Sequence, residues 1–261
     1  MGAATKERVV IGMLAGVVRP VLNLVLRRNW TGTENFPRGQ GIIVCPNHNT
    51  EIDPLVVGHY VYNQGILPHF LAKASLFKIP VVGQLLSGAR QIPVERSSSG
   101  ANRSLEISRE VLDEGGAVII YPEGTLTRDP NLWPMRGHTG AARLALQTGA
   151  PVIPVAHWGA NDLLPRYAKK PSLFPRKTAH VVAGAPVDLS EFGGMPITKT
   201  VLDAATNRIM DSITALLAEV RGEEPPALRW DPSAHGQKST GRDFGAGPAV
   251  HTEELPPEEK L

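Results

Sequence analysis

An α/β fold, a largely parallel sheet flanked by helices, is the expectation from three features of the amino-acid order. Short apolar runs of strand type (GIIVC, AVIIYP, PVIPVAHW) alternate with stretches of helical spacing, and such alternation builds parallel sheets covered on both faces. Glycine or proline punctuates the boundaries where one element must stop and the next begin. At 261 residues, 42% hydrophobic and 20% charged, the chain is long enough for one large domain.

Taken in order, the first element is the apolar segment VVIGMLAGVVRPVLNLVL, Val9 to Leu26, bracketed by Lys6 and Arg8 and by Arg27 and Arg28. As a helix it reaches about 27 Å, short of a hydrocarbon core, and Arg19 near the middle of a span is costly. Pro20 is expected to split it into two short pieces. Arg-Pro-Val-Leu supplies no small-residue cleavage site, so the segment does not read as a secretory signal. The reading is a membrane-associating helical element, residues 1–29, lying in a membrane interface with its basic flanks on anionic lipid. A core helix is the bland alternative and a true span the third.

GIIVC then reads as a strand and DPLVVGHYVYNQG as a helix stopped by Gly65. ILPHFLAK reads as a strand, IPVVGQLLSGA as a short helix and QIPVE as a strand. NRSLEISREVLDEGG is an amphipathic helix with Leu105, Ile107, Val111 and Leu112 on its apolar side. AVIIYP is a buried-type strand, GAARLALQTG a helix, PVIPVAHW a strand, TAHVVAG a further strand, and KTVLDAATNRIMDSITALLAEV a long closing helix. The catalytic domain expected from these elements is 30–221. Beyond it, residues 222–261 hold 11 Gly and Pro in 40 positions and no sustained periodicity, which reads as a disordered tail.

Charge divides along the same boundary. The tail carries four Lys and Arg against eight Asp and Glu, leaving 23 against 17 in residues 1–221, a basic body of +6. That excess is modest and aromatics are only 5%, so nucleic acid is not an expected partner. The single cysteine, Cys45, lies inside an apolar run and fits a reducing compartment.

Parallel sheets gather the loops that follow their strands along one edge, where ligands bind. Those loops hold His48 and Asp53 after GIIVC, Lys73 after the second strand, Arg96 at the end of QIPVER, and Glu123, Gly124 and Thr125 after AVIIYP. His48 and Asp53, five apart, are wrongly spaced for one helix face but suit a strand-to-helix turn. A neutral imidazole can remove a hydroxyl proton while a carboxylate on its other nitrogen fixes the tautomer. No G-x-S-x-G elbow or other covalent nucleophile stands out, so the attacking hydroxyl would belong to the substrate. Chance alone often puts a histidine and an aspartate at this spacing. A metal held by His48, Asp53 and Glu123 is a second bland reading, but the spacing matches no compact zinc pattern, and none is expected. His59, His69, His138 and His157 read as core or surface histidines.

NHNTEID, AKASLFKIPVVGQLLSGARQIPVER, YPEGT and APVIPV, in this order across about residues 40 to 160, resemble the four sequence blocks of the glycerolipid acyltransferase family, most closely its lysophosphatidate acyltransferases. The resemblance implies that family's fold and acyl transfer from acyl-CoA or acyl carrier protein to the sn-2 hydroxyl of lysophosphatidate, with no bound cofactor, at the cytoplasmic face of the cell membrane. It implies His48 as base, Asp53 as its partner, and Asn47, Lys73, Arg96, Glu123, Gly124 and Thr125 around the substrate. One position departs: the arginine that follows Thr125 in the family's third block is Leu126 here, and Arg128 is the expected substitute. Alternatives are another lysophospholipid or glycolipid acceptor, and a noncatalytic lipid-binding protein that retains the fold.

Overall fold

The computed structural model describes residues 3–95, 98–238 and 241. Seven strands form one sheet: β1 (Leu26–Thr31), β2 (Ile42–Pro46), β3 (Pro68–Lys73), β4 (Ile92–Val94), β5 (Ala117–Ile119), β6 (Val152–Trp158) and β7 (Lys177–Ala183). Helices α1 (Ala3–Val25), α2 (Asp53–Tyr62), α3 (Val82–Gly88), α4 (Ser98–Asp113), α5 (Gly140–Thr148), α6 (Ala160–Leu163) and α7 (Lys199–Arg221) surround it. The strand order is β1-β7-β6-β2-β5-β3-β4. From β6 to β4 every pairing is parallel, as the alternation predicts, while β7 runs antiparallel to β6 and β1 parallel to β7.

The central strands are buried on both faces: Ile42, Ile43, Val44 and Cys45 are fully enclosed, as are Ala117, Val118 and Ile119. One face packs Val44, Ile119, Ile153 and Val155 against Leu22 of α1 and Val56, Val57 and Tyr60 of α2. The other packs Ile43, Cys45, Val118 and Val152 against Val111 and Leu112 of α4, Leu144 of α5 and Ile209, Met210 and Ile213 of α7. The burial of Cys45 pushes its thiol pKa up, so it is an inert core residue.

Two local expectations are corrected. Pro20 does not split the N-terminal segment, because α1 runs unbroken from Ala3 to Val25. Gly16, whose carbonyl loses its donor to the proline, lies in an exposed stretch of the helix. The second concerns Leu26 to Thr31, LRRNWT, which joins the sheet as an edge strand. Its two arginines conceal it from an apolar-run reading, because an edge strand needs few buried positions. Residues 222–238, where composition suggested no structure, run back along the body: Arg229 bonds Asp211 of α7, and Arg136 meets both the Trp230 carbonyl and Asp231.

Candidate active site

His48 lies in the turn between β2 and α2, at the carboxyl edge of the sheet. Its Nδ1 is 2.9 Å from Asp53 Oδ2. The same carboxylate oxygen accepts the backbone N–H groups of Asn49 at 2.6 Å and Thr50 at 2.8 Å. Asp53 is the first residue of α2, with Pro54 next, and is completely buried. It therefore caps its own turn and holds the imidazole at once. Because Asp53 takes Nδ1–H, the neutral ring carries its lone pair on Nε2, which bonds no described residue. The His48 side chain is 16% exposed, enough for a ligand to reach that nitrogen.

The loop after β5 grips His48 by its backbone. Glu123 Oε1 accepts the His48 N–H at 2.9 Å, and the Thr127 N–H donates to the His48 carbonyl at 2.7 Å. Glu123 Oε2 accepts the Met135 N–H at 3.0 Å. Burial raises the Glu123 pKa to about 8, against the opposing effect of those two N–H donors. Tyr121 stacks on the His48 ring, with centroids 4.0 Å apart and planes 25° from parallel. Gly124 turns at φ +67°, and a Cβ there would lie 2.8 Å from the His138 ring, so both conformation and space require glycine.

Several expected substrate contacts are placed elsewhere. Asn47 is fully buried, and its side chain pairs with the His157 backbone, Nδ2 to carbonyl at 3.1 Å and Oδ1 from N–H at 2.8 Å. It extends the β2–β6 pairing by one residue and supports the loop rather than facing it. Glu123 has both oxygens turned to backbone N–H groups, so it positions the His48 backbone rather than facing a ligand. Gly124 and Thr125 lie at the accessible part of the turn, where the Thr125 hydroxyl donates to the Gly241 carbonyl. Arg128 is 2% exposed and directs Nη2 to the same carbonyl at 2.9 Å, away from the role of a free surface cation. Leu126 is buried. Lys73, last residue of β3, is exposed at the edge, two strands from β2, which is about 10 Å. Arg96 lies outside the described residues.

Two contributors were not apparent in the sequence. Arg166, after α6, donates Nη1 to the carbonyls of Thr127 and Asp129, putting a cation behind the loop that holds His48. His157, read as a core or surface residue, is buried with Nδ1 3.7 Å from the second oxygen of Asp53. The signal for it was parity: Ile153, Val155 and His157 alternate on the face of β6 that meets α1 and α2.

A largely parallel α/β sheet with an imidazole–carboxylate pair at its carboxyl edge is a scaffold that can support general-base chemistry on a bound hydroxyl. The sequence matches the Acyltransferase family over residues 27–158, and the chain belongs to that family. It is 32% identical over 133 residues to the 1-acyl-sn-glycerol-3-phosphate acyltransferase of Borreliella burgdorferi, covering 51% of each chain. It is 29% identical over 136 residues to the chloroplastic 1-acyl-sn-glycerol-3-phosphate acyltransferase BAT2 of Brassica napus, covering 51% of this chain and 38% of that one. These matches thus span about half or less of the relatives' length. The crystal structure of the 1-acyl-sn-glycerophosphate (LPA) acyltransferase PlsC from Thermotoga maritima shares the fold, with a TM-score of 0.63 at 22% identity over 84% of this chain and 83% of that one.

Proposed function

We propose that this protein transfers an acyl chain from an acyl thioester, on coenzyme A or acyl carrier protein, to the sn-2 hydroxyl of lysophosphatidate, forming phosphatidate. The observation that carries the reading is the His48 Nδ1–Asp53 Oδ2 bond with Nε2 left for substrate. Nε2 removes the hydroxyl proton as the oxygen attacks the thioester carbonyl. The tetrahedral intermediate then expels the thiolate, which takes the proton back from the imidazolium and leaves as free thiol. Asp53 stabilises the imidazolium while it exists. No bound cofactor enters this scheme. Lys73 and Arg96 neutralise the acceptor phosphate, and Gly124 and Thr125 line the turn beside it.

The acceptor and product are bilayer lipids, and α1 supports delivery to them. Lys6–Val25 is long and apolar enough to cross a membrane, with a mean hydropathy of 1.7. It is nonetheless docked on the body at both ends, by Glu7 against His69 and by Arg19 against His59, while Met13, Val17 and Leu24 are 68%, 68% and 77% exposed. A helix fixed along the domain with an apolar outer stripe suits a membrane interface better than a span. Ile79, Val81, Val82 and Leu85 at and before α3 extend the exposed apolar surface, and Gly88 of α3 abuts Val10 of α1. The face of the cell membrane we assign is cytoplasmic, where acyl thioesters are available.

One observation favours a second reading. With Leu126 buried and Arg128 turned to Gly241, the described cations near the turn are few for a phosphate monoester. A lysophospholipid with a phosphodiester headgroup would need less compensation. Purified protein with palmitoyl-CoA, offered lysophosphatidate beside lysophosphatidylcholine and lysophosphatidylglycerol with products identified by mass spectrometry, separates the two. Preferential phosphatidate formation supports the first; a phosphodiester product with little phosphatidate replaces it with the second.

A further inference from the structure

We infer that His157 is a positioning residue for the base, facing the Asp53 carboxylate from the side opposite His48 so that Oδ2 is presented to the reacting imidazole. The inference rests on the dyad reading above. Asp53 has two oxygens with different surroundings. Oδ2 accepts three hydrogen bonds, from His48, Asn49 and Thr50. Oδ1 is buried and accepts none from the described residues. An ionised oxygen buried without a donor is costly, and His157 Nδ1 faces it at 3.7 Å.

The other nitrogen of His157 fixes the proton count. Nε2 lies 2.6 Å from the Asn47 carbonyl oxygen, which can only accept, so Nε2 must carry a hydrogen. A neutral ring would then turn the Nδ1 lone pair toward a carboxylate oxygen. Only the imidazolium presents N–H to both neighbours. The ring is 1% exposed and cannot turn to water, and its strand is locked by the two Asn47 side-chain bonds to the His157 backbone. Among the described residues, the ionisable groups around it are few. Asp53 faces it, and His48 and Glu123 lie beyond Asp53. Its register partner on β7 is apolar Val181. His180 on β7 is half-buried and bonds Asn29, while Arg166 is turned to the carbonyls of Thr127 and Asp129. Arg221 of α7 covers Trp158, whose parity puts it across the sheet. The result is a carboxylate held between two imidazoles, one reacting and one fixed.

The ring's two nitrogens can be removed separately. His157→Gln keeps a donor near Nε2 for the Asn47 carbonyl and leaves nothing for Asp53; His157→Asn keeps a donor near Nδ1 and loses the Asn47 bond. His157→Gln is expected to lower kcat by about 10- to 100-fold with little change in KM, and His157→Asn to retain more activity. In an Asp53→Asn background, His157→Gln should add almost no further loss, since it acts through that carboxylate. Nitrogen-15 NMR of labelled histidine in the substrate-free protein should find the His157 ring resonances moved by Asp53→Asn; this measurement needs no acceptor, so it stands even if the acceptor assignment fails. His157 resonances unmoved by Asp53→Asn, or His157→Asn proving worse than His157→Gln, or full additivity with Asp53→Asn, overturns the inference.

Discussion

His48 is held at its ring, its amide and its carbonyl: Asp53 takes Nδ1, Glu123 takes the N–H, and Thr127 donates to the C=O. Such preorganisation is what a base needs, because a displaced imidazole loses the aligned proton transfer. Asp53→Asn keeps the shape and one acceptor oxygen for the Asn49 and Thr50 N–H groups, but it cannot stabilise an imidazolium. Turnover is expected to fall roughly 10²- to 10⁴-fold with the melting temperature little changed, measured by thioester consumption and by calorimetry; a folded Asp53→Asn protein at near wild-type turnover contradicts the role. Glu123 makes a different prediction, about stability. Its pKa rises from 4.5 to about 8 in the folded chain because it is buried. As pH climbs through that window the unfolded chain gives up the proton while the folded one holds it, so Glu123 favours folding at the acid end and its contribution is lost toward pH 8. Glu123→Gln removes that titration. The variant should be less stable overall, with one backbone N–H facing an amide, yet show a flatter dependence of melting temperature on pH between 4.5 and 8. Parallel curves for the two proteins would refute the assignment.

At the scale of elements, α1 is fastened by polar contacts as well as by Ile11 and Leu22. Near its start Glu7 meets His69 at 2.6 Å and lies 3.6 Å from Arg90; farther along, Arg19 donates Nε–H to His59 Nε2 at 3.2 Å. Burial, then the charges of Arg19 and Arg28, lower the His59 pKa from 6.5 to about 4. A histidine with a depressed folded pKa supplies stability above 6.5 that is lost as pH falls toward 4. Protonation would replace the acceptor of Arg19 with a second cation. Hydrogen exchange in α1 should therefore accelerate, relative to α7, between pH 7 and pH 4.5, and His59→Asn should blunt the change; uniform exchange rates across that range would show that His59 does not control the docking. These contacts also mark how far the sequence could be read. The central strands were legible because parallel strands buried on both sides are continuous apolar runs, and the His48–Asp53 turn because its spacing suits a strand-to-helix junction between an apolar run and a helical one. Strand β1 was hidden by its arginines, and the continuity of α1 through Pro20 by exposure that no local pattern records. His157 was hidden because contact between β6 and the head of α2 exists only once the sheet is assembled.

Across the whole molecule, the proposed membrane contact rests on the apolar outer stripe of α1, where Met13, Val17 and Leu24 are exposed. Replacing Val17 and Leu24 together by glutamate changes only exposed positions, so the fold should survive while binding to anionic liposomes falls by tenfold or more. Activity on a short, soluble acceptor should persist. Undiminished flotation of that variant would remove α1 from membrane binding. The four sequence blocks were legible as an ordered set, but their division of labour was not. The third block and the loop after it clamp His48 with Glu123 and Thr127, and Asn47 of the first block ties β2 to β6; both roles depend on neighbours distant in sequence. The most direct test compares intact wild-type protein with His48→Ala on anionic vesicles containing lysophosphatidate, with palmitoyl-CoA added and phosphatidate quantified by mass spectrometry. Wild type should make phosphatidate, and folded His48→Ala should make it roughly 10²- to 10⁴-fold more slowly; equal rates in the two proteins would contradict the account.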